Sequence, residues 1–208
     1  MSIEEIFQTL DTMLADNKID KIESYLLQCR EQAKETDDYG IYIAIANEML
    51  NFYKSTMQYR KAFDVAEDVL LLMEELQMED TEQFATMLLN TATVYQSGGL
   101  VKESYPYYRR ALLIYESVTK RFTQEELEQV AMYYSMALTG VGEACYHMGE
   151  YEEALQYYEK ALGIVKKFFG ENQTYALVCD NCATVCAALQ DMQKQQYYKN
   201  LSDTFVQN

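Results

Sequence analysis

Tryptophan is absent from the 208 residues, proline and histidine occur once each, and glycine only eight times. One proline and few glycines leave long stretches free of the residues that interrupt helices. One histidine leaves no Ser-His-Asp arrangement in view. Positive charge is also scarce: 17 Lys and Arg stand against 33 Asp and Glu, a net charge of −16. That sign opposes binding to a nucleic-acid backbone or an anionic membrane surface, and it would steer a basic partner inward. It is equally the ordinary acidity of many soluble intracellular proteins. Long apolar runs are missing, since Ile41 to Ala46 and Val69 to Met73 are far too short to cross a bilayer. Met1 to Glu5 lacks the basic region and apolar core of a secretory signal. The five cysteines are an odd number with three crowded together, so no disulfide framework suggests itself. A reducing, cytoplasmic setting is the expectation, and there Asn172-Gln173-Thr174 and Asn200-Leu201-Ser202 are chance glycosylation matches.

What is present favours helix. Nearly half the chain is apolar, and Ala, Leu, Glu, Gln, Lys and Met are plentiful. Nineteen tyrosines supply large rings with a polar tip, suited to the seams between helices.

Apolar residues recur at helical spacing along the whole chain. Ile3, Ile6, Leu10 and Leu14 mark a first helix, and Ile22, Leu26 and Cys29 a second. Thr36-Asp37-Asp38 offers capping side chains for the third. Tyr59 to Leu76 reads as the fourth. Glu79-Asp80-Thr81 opens a third pair, which Ser97-Gly98-Gly99 interrupts. Pro106 should delay or kink the helix that follows. Thr123 with Glu126 three residues later is a capping-box pattern, predicting a helix that starts early and runs to about His147. Tyr151 to Phe169 is its partner, ended by Gly170. Asn172 to Leu189 and Met192 to Phe205 form a fifth pair.

The units repeat. Ala62, Ser104, Ala154 and Gln195 occupy matching places in the second helices, separated by 42, 50 and 41 residues. The extra eight fall in the charged stretch after Arg121. A recurring two-helix unit cannot bury its apolar face alone, so neighbours must stack. The expected fold is all-α, a right-handed α-α superhelix of about five helix pairs forming one domain over residues 1–208. Its parts are an atypical N-terminal pair at 1–36, central repeats at 37–78, 79–122 and 123–170, and a C-terminal repeat or cap at 171–208.

Leu138, Val141, Gly142, Ala154, Tyr158 and Ala161, and again Leu88, Ala92, Tyr95, Gly99, Tyr108 and Ala111, resemble the tetratricopeptide repeat family. The period near 42 and the run from Ala161-Leu162-Gly163-Ile164 through Phe169-Gly170-Glu171-Asn172 are similar to the longer repeats of kinesin light chains and their bacterial relatives. Leu50 and Gln195 depart from the small residue expected at their positions. The resemblance implies a superhelix whose first helices line a concave face and hold a peptide. Asn51, Asn90 and Asn181 would then fall on that face, with Asn47, Lys54, Thr93, Gln96, Thr139, Glu143, Tyr146, His147 and Thr184 as neighbours. The same positions also suit the solvated side of any amphipathic helix.

Other features have bland readings. Cys179, Cys182 and Cys186 have the spacing of thiolate ligands, but these are also core positions and free cysteine is a small buried hydrophobe. Glu143 and His147 could supply two metal ligands, too few for a strong site. Gly98-Gly99 lacks the Lys-Ser/Thr of a phosphate loop. In the adjacent tyrosines at 107–108, 133–134, 157–158 and 197–198, one member is free to stay exposed. No catalytic constellation, metal or cofactor is expected. The function expected is a non-enzymatic adaptor or scaffold holding a protein or peptide segment, its partner a basic one by charge. The alternative is a peptide-sensing regulatory receptor of the bacterial kind, although no basic segment for a DNA-binding module is present. The apolar load also allows exposed patches that would join copies end to end.

Overall fold

The computed structural model describes residues 2–206. Among them are ten α-helices and no strand: α1 Ile3–Ala15, α2 Ile19–Glu35, α3 Tyr39–Ser55, α4 Tyr59–Glu75, α5 Glu82–Ser97, α6 Val101–Val118, α7 Gln124–Met148, α8 Tyr151–Phe169, α9 Gln173–Ala188 and α10 Met192–Val206. The helices gather into two compact units, Met1–Gln77 with α1 to α4 and Met78–Asn208 with α5 to α10. The division falls where the second expected repeat gives way to the third. Inside each unit, helices adjacent in sequence pack on one another, and in the second unit α5 also touches α7. This is the all-α helical-repeat class that the periodicity predicts.

One turn recurs with the same backbone bonds. A residue in left-handed conformation follows the helix, and the next N–H donates five residues back. The six turns place these bonds at Lys18 to Met13, Asp38 to Ala33, Gln58 to Tyr53, Leu100 to Tyr95, Glu150 to Cys145 and Asp191 to Cys186, all at 2.8–2.9 Å. The left-handed residues are Asn17, Asp37, Met57, Gly99, Gly149 and Gln190. Such a turn satisfies carbonyls that the helix end would otherwise leave unpaired.

The first helix of each pair is capped by a side chain, whereas α2, α4, α6 and α8 start without one. Asp38, Thr81 and Asn172 accept from the N–H groups of Ile41, Phe84 and Tyr175. Capping boxes form at Ser2 with Glu5 and at Thr123 with Glu126. The second lies where the sequence placed it, and it starts a helix of 25 residues, against 16 in α5 and α9. Pro106 does not delay α6, which begins at Val101 and contains it. The bond it forgoes would run to the Lys102 carbonyl in the first turn, beside an exposed residue that water can reach.

Small residues sit where helices approach. Ala62, Ser104 and Ala154 are at most 1 % exposed, while Gln195 is only half-buried. Leu50, despite its bulk, is also buried. Large side chains such as Phe84, Leu88 and Leu112 fill the gaps, each contributing on the order of 1.5–3 kcal/mol by burial. Tyrosine tips then bond between helices. The Tyr53 hydroxyl donates to Glu23 at 2.9 Å, where the Lys61 ammonium also donates. Tyr198 donates to Glu159 at 2.7 Å. The Thr86 and Tyr115 hydroxyls lie 2.9 Å apart. Of the adjacent pairs, Tyr133 and Tyr197 are exposed beside a more buried neighbour, but Tyr157 and Tyr158 are both buried. No helix of the described residues is long and apolar enough to cross a membrane.

Candidate functional site

In the second unit, the ends of α7 and α9 enclose a cleft of about 200 Å³. Glu143, Tyr146 and His147 reach it from α7, and Asn181, Thr184 and Val185 from α9. Spacings of three and four residues put each set on one helix face. Five of these residues are among those singled out in the sequence. The buried ring of Tyr158 completes the wall from α8.

The polar groups are unevenly committed. The Thr184 hydroxyl donates to the Asp180 carbonyl at 2.9 Å, one turn back in its own helix. The Tyr146 ring packs between His147 and Tyr151, with centroids 5.7 and 5.4 Å away. Among the described residues, the Glu143 carboxylate, the Asn181 amide, the His147 imidazole and the Tyr158 hydroxyl have no hydrogen-bond partner. Glu143 and Asn181 are half-buried, and His147 is exposed. Burial, then the Glu143 charge, pushes the Tyr158 hydroxyl far above the ordinary tyrosine range, so it stays a neutral donor.

The remaining residues of the second unit are more internally engaged. Thr139 donates to the Ser135 carbonyl at 2.9 Å and Thr93 to the Asn90 carbonyl at 2.8 Å. The Gln96 side chain accepts from the Tyr108 hydroxyl. Residue 140, one repeat from both Asn90 and Asn181, is glycine, and its place is filled by the Tyr108 ring. The Asn positions of this unit therefore do not form a continuous row.

In the first unit, Asn51 lines a separate cleft of about 260 Å³ with Glu48, Phe52 and Ser55 of α3, opposite Leu10, Leu14, Ile22 and Leu26. Asn47 and Lys54 are half-buried on the same helix. Burial, then Asp11, raises the Glu48 carboxyl above its usual range. The sequence did not single out Glu48, and it marked Tyr158 as a repeat position rather than as a site residue. Their helical spacing was legible, but spacing does not tell which way a polar tip points.

Cys179, Cys182 and Cys186 are free and buried. Burial raises all three thiols, Cys179 to about 11, which suits packing. Among the described residues, one set of three ligand-bearing groups gathers, Cys145 with Glu150 and Glu153, within 4.8 Å of one another. Burial, then the two carboxylates, pushes the Cys145 thiol up to about 12. It is thus a protonated core thiol beside two exposed acids.

Residues 133–194, which contain the whole α7–α9 cleft, match the model of the tetratricopeptide repeat family. No curated protein matches the chain. Solved structures are similar. BtubC (BKLC) from P. vanneervenii superposes with a TM-score of 0.82 at 18 % identity, covering 97 % of this chain and 78 % of that one. A putative kinesin light chain of nearly identical TPR-like repeats from Podosopora anserina gives 0.74 at 14 %, covering 97 % and 93 %. A signal-transduction ATPase with numerous domains and a tetratricopeptide repeat sensor, from Pyrococcus horikoshii, gives 0.75 at 17 %, covering 94 % of this chain and 28 % of that one. Residues 133–194 are thus a tetratricopeptide repeat segment, and over nearly its full length the chain has the helical-repeat fold of kinesin-light-chain-like structures.

Proposed function

We propose that this chain is a non-enzymatic adaptor that holds a segment of a partner protein against α7 and α9. A tetratricopeptide repeat fold supports protein interaction in general. The finer reading rests on one observation: the Glu143 carboxylate, Asn181 amide and Tyr158 hydroxyl converge on one cleft without partners. Water reaches these polar atoms, so a guest can take them up without breaking any bond inside the molecule. An Asn amide donates and accepts, which matches the two groups of a peptide bond. Glu143 calls for a Lys or Arg of the guest, in keeping with a net charge of −16. The five buried free cysteines suit a reducing, cytoplasmic setting.

The test is titration of the full chain with an immobilised library of short peptides, read by binding and then by anisotropy of the hits. The reading expects hits centred on a basic residue, weakened by Glu143→Gln and Asn181→Ala. Hits indifferent to both substitutions would remove the cleft from the account.

A second reading is a peptide sensor, favoured by the likeness to the Pyrococcus horikoshii repeat sensor. It expects a free short peptide to bind and to change the radius of gyration in small-angle scattering. A scaffold binds without that change. Copies could also join through apolar side chains left exposed on the last helices, Leu177, Met192 and Tyr197. Sedimentation over a concentration series decides that point.

A further inference from the structure

The second unit has another recess, at the other end of α7. It encloses about 500 Å³ between Leu127, Val130 and Tyr134 of α7 and Gly163, Ile164 and Phe168 of α8. At 1.5 Å per residue it lies about 20 Å along α7 from the cleft described above. Its floor is mostly apolar, yet three lysines, Lys120, Lys160 and Lys167, stand at its edge.

Two independent features need explaining. The first is charge. Three of the chain's 17 cations edge a single apolar recess in a protein of net charge −16. Lys160 and Lys167 lie over the neighbouring rings of Tyr157 and Phe168, 5.4 and 4.6 Å from their centroids. None of the three forms an ion pair among the described residues. All three are exposed. The second is Gly163. It sits in the interior of α8, where glycine is less stable than alanine. A Cβ added there would meet nothing within 4 Å, so no contact inside the molecule requires glycine. Glycine in an element interior is otherwise found where another backbone comes close.

Lys160, Gly163, Ile164 and Lys167 form one stripe at i, i+3, i+4 and i+7, with the two ammonium groups two turns apart. That pattern is complementary to a helix laid against it. We propose that this recess is a docking surface for an acidic amphipathic helix of a partner protein. The apolar face of the guest helix enters between Leu127 and Ile164. Its backbone passes over Gly163, and carboxylates two turns apart pair with Lys160 and Lys167. The surface is distinct from the α7–α9 cleft and does not depend on that cleft holding a peptide.

The probe is a synthetic helix of about 18 residues, long enough to be helical when bound, with leucines on one face and glutamates seven residues apart beside them. Its binding to the full chain is read by fluorescence anisotropy. The proposal expects saturable binding that weakens with salt, and little binding by the isomer carrying lysine in place of glutamate. The double variant Lys160→Glu, Lys167→Glu and, separately, Gly163→Leu should each weaken it by about tenfold or more. Circular dichroism melts should show both variants folded, and Lys199→Glu, an exposed charge on α10, should bind as the unaltered chain does. No binding, equal binding of both isomers, or indifference to both variants overturns the proposal. So does a dimer in sedimentation that either variant dissolves, since the occupant would then be a second copy.

Discussion

The ring of Tyr108 lies where a side chain on residue 140 would have to be, and residue 140 is glycine. A Cβ there would overlap three atoms of a ring that is itself buried and held by its hydroxyl to Gln96. Gly140→Ala is therefore expected to destabilise the fold, since overpacking of about 1–3 kcal/mol exceeds the roughly 1 kcal/mol alanine gains in a helix. Gly163→Ala, with open space around it, should instead stabilise by up to about 1 kcal/mol. Urea unfolding of the two variants measures both. The same sign for both would contradict this account of α7.

Thr91 is 1 % exposed and its hydroxyl has no hydrogen-bond partner. Valine has nearly the same shape and no polar atom to desolvate. Thr91→Val should raise stability by about 1 kcal/mol, seen as a higher urea midpoint at unchanged slope. A loss of stability would mean that the hydroxyl is satisfied after all.

Burial, then Glu23, raises the Tyr53 hydroxyl to about 12, and burial likewise raises Tyr108, Tyr115 and Tyr198. A pKa higher in the fold than the ordinary value near 10 favours the neutral form there. The associated stability is complete below about 10 and is lost as pH climbs toward the folded value. Tyrosinate absorbance should show Tyr53, Tyr108, Tyr115 and Tyr198 withheld from ionisation in the folded chain and appearing only as it unfolds in alkali. All nineteen ionising together in the folded chain would refute this.

For a bound basic peptide, Asn181→Ala should cost about 1–2 kcal/mol of affinity, one to two lost hydrogen bonds. Asn181 makes no bond within the described residues, so stability should move by less than about 0.5 kcal/mol. Calorimetric titration beside a thermal melt separates the two effects. Equal losses in both would make Asn181 a structural residue.

Features carried by a side chain acting on its own neighbourhood were legible in the sequence. Thr123 and Glu126 announced the start of α7, which ends at Met148, one residue past the expected His147. The left-handed turns at Met57 and Gln190 were not legible as such, because backbone bonds impose them on residues that seldom choose that conformation. Pro106 does not delay α6, because the bond it forgoes lies in the first turn rather than deep in the helix. In the cleft, Glu143, Tyr146, His147, Asn181 and Thr184 share one place because helical register alone groups them. Gln96 carried the same signal but bonds Tyr108, a pairing that only the packing of α5 on α6 decides. The stripe from Lys160 to Lys167 was also open to reading, but the empty space around Gly163 was not.

The six-residue turn is identical within all five helix pairs, whereas α6 and α7 are joined by a short 3-10 turn and a capping box. Length variation has thus been confined to a junction between hairpins, leaving the hairpin bends themselves untouched. A protein engineer could graft extra turns of helix at Thr123 and lengthen one strut of the array while every neighbouring strut keeps its seat.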